Sequence, residues 1–221
     1  MIEETPTIFD LEFSEICHDL IVMSEMIIQA IDHSMIALHE CNIELANEII
    51  ANDKQVNAQR FKIEEASLQL IAIRQPIAGD LRSVIAVMHI VVEMERMGDH
   101  AAGIAKTVIR MEKEPLLKTY KKIKKMGELS SMMLSECIQA FLNKDITRAN
   151  EIAAQDSKMD GLYKEVFDRL MKLMANKPEM VSRATYLLWC AHNLERIADR
   201  VTNVAERVVF MATGDLSEFN P

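Results

Sequence analysis

A chain of 221 residues with a net charge of −9, six Gly, five Pro, sixteen Met and 5% aromatic residues is long enough for a substantial core, as one domain or as two of about 100 residues each. Few aromatics, and no Pro between Pro6 and Pro76, argue against a strand-rich fold and for long helices. The acidic balance argues against a nucleic-acid partner, because neutralising a phosphate backbone takes Lys and Arg. Cys17, Cys41, Cys137 and Cys190 are widely spaced, with no Cys-x-x-Cys pair, and read as free thiols in a reducing compartment. The acidic start, "MIEETPTIFD", is not a signal peptide, and the longest apolar run, "VIAVMHIVV", is too short to span a bilayer. A soluble, cytoplasmic protein is expected.

A 3.6-residue apolar period predicts a first helix over about 8–40, a second over about 43–74 with Asn42 as its cap, and a third over about 80–112. Between the second and third, "RQPIAG" breaks the chain, because the residue before Pro is pushed out of the α region and Gly79 relaxes the turn. "EKEPLLK" around Pro115 reads as a linker. A fourth helix is predicted over about 116–143, a fifth from the cap Asp145 to about 175, a turn at "NKP" (176–178), and a sixth to about 213 with Gly214 as its stop.

The second half repeats the first. "ANEIIANDKQVN" from Ala46 corresponds to "ANEIAAQDSKMD" from Ala149, and Pro76 corresponds to Pro178. The expected fold is all-α, two tandem three-helix bundles related by an internal repeat, divided as residues 1–113 and 114–221.

The repeat also carries acids. Glu95 and Asp99 recur one hundred residues on as Glu195 and Asp199, each pair four residues apart and only 40° apart around a helix, on a mostly apolar face. Like charges at this spacing repel, and burying them unpaired costs more, so a positive partner is expected. A second pair stands on the preceding helix of each half: Asp53 with Asn57, and Asp156 with Asp160. In an antiparallel hairpin, residues equidistant from the turn share a height. Asp53 with Asp99, and Asn57 with Glu95, are equidistant from Pro76; Asp156 with Asp199, and Asp160 with Glu195, are equidistant from the bond between Lys177 and Pro178.

Two oxygen-rich clusters follow, with ligands projecting inward from facing helices. Such donors suit hard or borderline-hard cations, magnesium, calcium, manganese or iron, and suit zinc less well; four carboxylates favour a multinuclear site. The competing arrangement is a salt-bridge lattice in which Arg96, Arg196, Arg200 and Lys106 neutralise the acids. Asn57, and Arg60 with Glu64 where the second half has Tyr163 and Phe167, predict weaker binding in the first half. His192, one turn before Glu195, is the better placed histidine for an auxiliary ligand; His100 points about 100° away from Asp99.

At these residues the chain resembles the PhoU family of phosphate-uptake regulators, whose two three-helix bundles carry paired E(D)-x-x-x-D motifs. The matching stretches are "ERMGD" (95–99), "ERIAD" (195–199), "DSKMD" (156–160), the degenerate "DKQVN" (53–57), "RQPIAGDLR" from Arg74 and "DRVTNVAERV" from Asp199. Asn203 keeps the family's asparagine, an auxiliary ligand on this likeness, where the first half has Gly103. The resemblance implies a cytoplasmic adaptor, commonly a homodimer, that works with a phosphate ABC transporter ATPase and a sensor histidine kinase. It reaches the membrane only through these partners and holds phosphate-starvation genes off. It also implies iron or other multinuclear metal at the carboxylate motifs, with iron, manganese, magnesium and zinc as the candidates.

"KTYKKIKK" places Lys118, Lys121, Lys122, Lys124 and Lys125 together in an acidic protein; a solvated helix face is the plainer explanation, attraction to acidic partners or anionic lipid the functional one. The methionines read as adaptable core filler. A rival function is a metal-dependent di-metal carboxylate oxidase or hydrolase. The ferritin-like pattern needs Glu-x-x-His on two helices, which neither Glu95 nor Glu195 begins, and the sequence has no HExxH motif or glycine-rich phosphate loop. A metal buffer would need more capacity than two small clusters.

Overall fold

The computed structural model describes residues 6–111, 117 and 119–215, and among them every element is helical. α1 spans Ile8–Glu40, α2 Ile43–Arg74, α3 Ala78–Met111, α4 Tyr120–Leu142, α5 Ile146–Ala153, α6 Asp156–Asn176 and α7 Val181–Thr213. Thr7 and Asp10 form a reciprocal capping box at the start of α1. Asn42 and Asp145 cap α2 and α5 by accepting from the amides of Leu45 and Arg148, as their positions predict. Gly214 ends α7 at φ 84°, a left-handed conformation that glycine adopts without a Cβ penalty.

Two boundaries differ from expectation. The fifth predicted helix is broken into α5 and α6 at residues 154–155. There the Ser157 hydroxyl donates to the Ala154 carbonyl, and Gln155 N–H bonds to Ile152 O, so local side-chain bonding and a tightened turn replace the regular ladder. Asp156 then opens α6, where the helix dipole favours a negative charge. The fourth helix begins at Tyr120 rather than near 116; the linker around Pro115 and Lys118 lie outside the described residues.

α1, α2 and α3 pack mutually, as do α4, α5–α6 and α7, and the bundles meet through α3 against α7 and α1 against α4. Among the described residues all buried apolar side chains but Ala102 form one continuous cluster across both bundles. α3·α7 is the most extensive contact between any two helices. α1 is long and apolar enough to cross a membrane by length and composition, but Leu20, Met23, Ile27 and Ile31 of its apolar stripe are fully buried in that core.

The inter-bundle seams are both antiparallel. On the α1–α4 seam Tyr120 donates its hydroxyl to Met35 O and Ser131 donates to Asp32. Gly127 faces Met35 so closely that a Cβ there would stand 2.7 Å from Met35 Cγ.

Candidate metal centres and the clasp between the bundles

Asp53, Glu95 and Asp99 converge on the α2–α3 seam. Gly98, between the two α3 acids, lies under Asp53: a Cβ there would come 3.4 Å from Asp53 Oδ1 and 3.2 Å from Val56 Cγ1, so glycine leaves the carboxylate its space. Burial holds the Asp53 carboxyl above its ordinary pKa, with Asp99 and Glu95 pushing the same way and Lys106 opposing them. On the α6–α7 seam burial likewise raises Asp199 and Glu195; Asp160 adds to both, Arg196 and His192 oppose. Asp53 is thus near enough to Asp99 and Glu95 to be repelled by them, and Asp160 near enough to Glu195 and Asp199.

Placement is more open than the stripe suggested: Asp99 and Asp160 are exposed, Glu95, Glu195 and Asp199 half-buried, and Asp156 buried at the first turn of α6. Of the expected salt-bridge lattice, Arg196 alone pairs with one of these acids among the described residues, Arg96 and Arg200 binding Glu93 instead, and Arg60 and His192 add pairs that were not expected. Arg60 lies 3.4 Å from Glu95 while also holding Glu64, Arg196 lies 3.1 Å from Asp199, and His192 Nδ1 lies 3.2 Å from Glu195. Among the described residues no three His, Cys, Asp or Glu side chains stand in a closed ligating set.

An all-oxygen donor set is of the kind a hard cation takes, with Asp53, Glu195 and Asp199 held at raised pKa and Gly98 leaving room on the first seam. Asp53, Glu95 and Asp99, with the side-chain oxygen of Asn57, would hold it in the first half; the Asn57 amide nitrogen is turned back to Asp53 O. Asp156, Asp160, Glu195 and Asp199, with His192 alongside, would hold it in the second. Such a cation would add positive charge to that already brought by Arg60, Arg196 and His192. Asn203 faces elsewhere, its amide donating to Glu93 at 3.1 Å.

Glu93 and its partners form a clasp between the bundles that reading by motif missed. Glu93 of α3 accepts from Arg200 and Asn203 of α7, each at 3.1 Å, and from Arg96 at 3.1 Å. At the repeat-equivalent place Asn193 of α7 faces His100 of α3, whose Nδ1 is 3.0 Å from Asn193 Oδ1. Burial keeps the His100 ring's pKa below its usual value. Gly103 stands where Asn203 stands in the other half, and a Cβ at Gly103 would come 3.0 Å from Asn193 Oδ1. The departures from repeat symmetry at 93/193, 100/200 and 103/203 therefore compensate one another across the α3–α7 crossing, and Gly103 leaves the room that Asn193 takes. Their only signal in the sequence was that very asymmetry. Arg82, from the "QPIAGDLR" turn, reaches the end of α7 with a long contact of 3.4 Å to Met211 O.

The family model described as the PhoU domain matches twice, at residues 20–108 and 123–208. The chain belongs to the PhoU family. Two matches to one domain, one in each bundle, agree with the internal repeat. The chain is 32% identical over 212 residues to the phosphate-specific transport system accessory protein PhoU homolog of Streptococcus pneumoniae serotype 4, covering 96% of this chain and 98% of that protein. The homolog from Clostridium acetobutylicum is 33% identical, with 98% and 99% covered. Among solved structures, the phosphate transport system regulatory protein PhoU from Streptococcus pneumoniae superposes with a TM-score of 0.90 at 32% identity, over 96% of this chain and all of that one. PhoU from Pseudomonas aeruginosa gives 0.89 at 29% identity, over 94% of this chain and all of that one.

One consequence concerns Asp53. Its folded pKa lies above its unfolded value, so ionising it costs stability once pH exceeds both values, and the cost vanishes below both. Asp53→Asn is expected to be more stable than the parent by roughly half a kcal/mol near pH 7, after allowance for solvent screening. The advantage should shrink as pH falls through the carboxylate range. Urea midpoints at pH 7 and near pH 4 measure it; equal differences at both would refute the charge origin.

Proposed function

We propose that this chain is a regulatory adaptor of phosphate uptake, a cytoplasmic homodimer that links a phosphate ABC transporter ATPase to a sensor histidine kinase and represses the phosphate-starvation response. The observation that carries this reading is the end-to-end match to proteins named as phosphate-specific transport system accessory proteins, over 96% of this chain and 98% of the first relative. Membrane association in this reading comes through the partners. Metal held by the two carboxylate seams, as iron, manganese, magnesium or zinc, is assigned a structural or regulatory part rather than a catalytic one. The fold supplies what an adaptor requires: two bundles fused through one core, so a contact made on one seam is borne by the whole body.

The protein, immobilised and exposed to detergent-solubilised membranes from phosphate-replete and phosphate-starved cells, is expected to capture the transporter ATPase and the kinase, in amounts that change with phosphate. Recovery of neither under both conditions would overturn the adaptor reading. Metal-dependent turnover of phosphate esters by the purified protein would move it to the di-metal enzyme instead.

A further inference from the structure

The two bundles carry the same ion pair with the charges exchanged. On the outer seam of the first, Lys62 of α2 donates to Asp19 of α1 at 2.6 Å. On the outer seam of the second, Lys122 of α4 pairs with Glu165 of α6. Positions 19 and 122 are as far apart in the chain as positions 62 and 165, so the repeat has kept the contact and swapped its signs.

The exchange extends to the surroundings. Asp19 lies on an open groove of about 650 Å³ lined by the apolar Ile16, Ala66 and Leu70 and by three acids, Glu12, Glu15 and Asp19, against one lysine, Lys62. Glu12 is held by Arg74 at 2.6 Å, whereas Glu15 makes no ion pair among the described residues. Around Lys122 the surface is basic. Lys121, Lys124 and Lys125 are exposed on the first two turns of α4. The hydrogen bond from Lys122, with the added fields of Arg169 and Lys125, holds the Glu165 carboxyl below its ordinary pKa.

These surfaces cannot meet within one chain. Tyr120 bonds to Met35 O, which fixes the start of α4 beside the end of α1, sixteen residues or about 24 Å of helix beyond Asp19. A chain of net charge −9 repels its copies in general, so association needs a local patch of opposite sign, and the α4 lysines are a concentrated one.

We propose that the acidic α1–α2 groove of one copy receives the lysine edge of α4 from a second copy. Lysine stems lie along the groove's apolar residues while their ammonium groups reach its acids, and the opposed potentials set the register. The proposal rests on the homodimer reading above and gives that dimer its surface.

The test is sedimentation equilibrium of the full chain, which is expected to show a dimer whose Kd rises about tenfold or more between low and high salt. Lys121→Glu with Lys125→Glu, and separately Glu15→Lys with Gln69→Lys, should each weaken self-association by about tenfold or more. Mixing the two variants should restore it, because each then meets its complement. A monomer at every concentration in low salt overturns both the surface and the dimer. A dimer whose Kd neither variant changes overturns the surface alone, as does a mixture that fails to recover, which would point to a basic segment of another protein as the occupant.

Discussion

Manganese added at about a hundred times its dissociation constant is expected to stabilise the folded protein by about 2.7 kcal/mol for each site filled. For a chain of this size that is a rise in melting temperature of roughly 5–10 °C. The cause is electrostatic. Burial and mutual repulsion hold Asp53, Glu195 and Asp199 at raised pKa, so a cation relieves a cost already built into the fold. Asp199→Ala should remove the gain from the second seam, where the acids face His192 and Tyr163. Asp53→Ala should remove the gain from the first, which takes more metal to reach because Arg60 already occupies Glu95. Thermal melts with and without metal, read beside a metal count on the purified variants, decide it. If iron, manganese, magnesium and zinc all leave the melting temperature unmoved, the carboxylate seams are salt-bridge lattices and nothing more.

Glu93→Ala is expected to cost about 2–3 kcal/mol in unfolding free energy, the range for removing one partner of a poorly exposed, charge-assisted contact. Glu93 is 15% exposed and Arg200 20%; the change strips Arg200 and Asn203 of their acceptor at the largest helix–helix contact in the molecule. Arg200→Ala should cost less, because Asn203 and Arg96 still serve Glu93. A double-mutant cycle between positions 93 and 200 should show coupling of about 1 kcal/mol or more. Additive losses would mean that the Glu93–Arg200 pair contributes nothing to the α3–α7 crossing. The pair also stands between the two carboxylate seams, Glu93 two residues from Glu95 and Arg200 beside Asp199.

The helices were legible because each depends on neighbours in sequence. Apolar period, the caps Asn42 and Asp145, and the stop at Gly214 are interactions within a few residues of the chain, so their positions carried over almost unchanged. The break at 154–155 escaped notice because a hydroxyl bonding back to its own turn leaves no mark on the apolar pattern. The approach of Asp53 to Asp99 and of Asp160 to Glu195 was also legible, since a hairpin converts distance along the chain into distance along an axis. Their exposure was not, because how far a seam opens depends on what packs behind it.

The sequence by itself determined long helices in two repeated bundles, the turns, and the approach of Asp53 to Asp99 and of Asp160 to Glu195, for these follow from periods and spacings that the chain carries locally. Only the tertiary structure decided that α3 and α7 cross antiparallel, that Glu93 is served from the other bundle, and that Gly103 makes way for Asn193. Contacts between residues about a hundred positions apart depend on the angle and height at which two finished bundles dock, and side-chain packing across the whole core sets both.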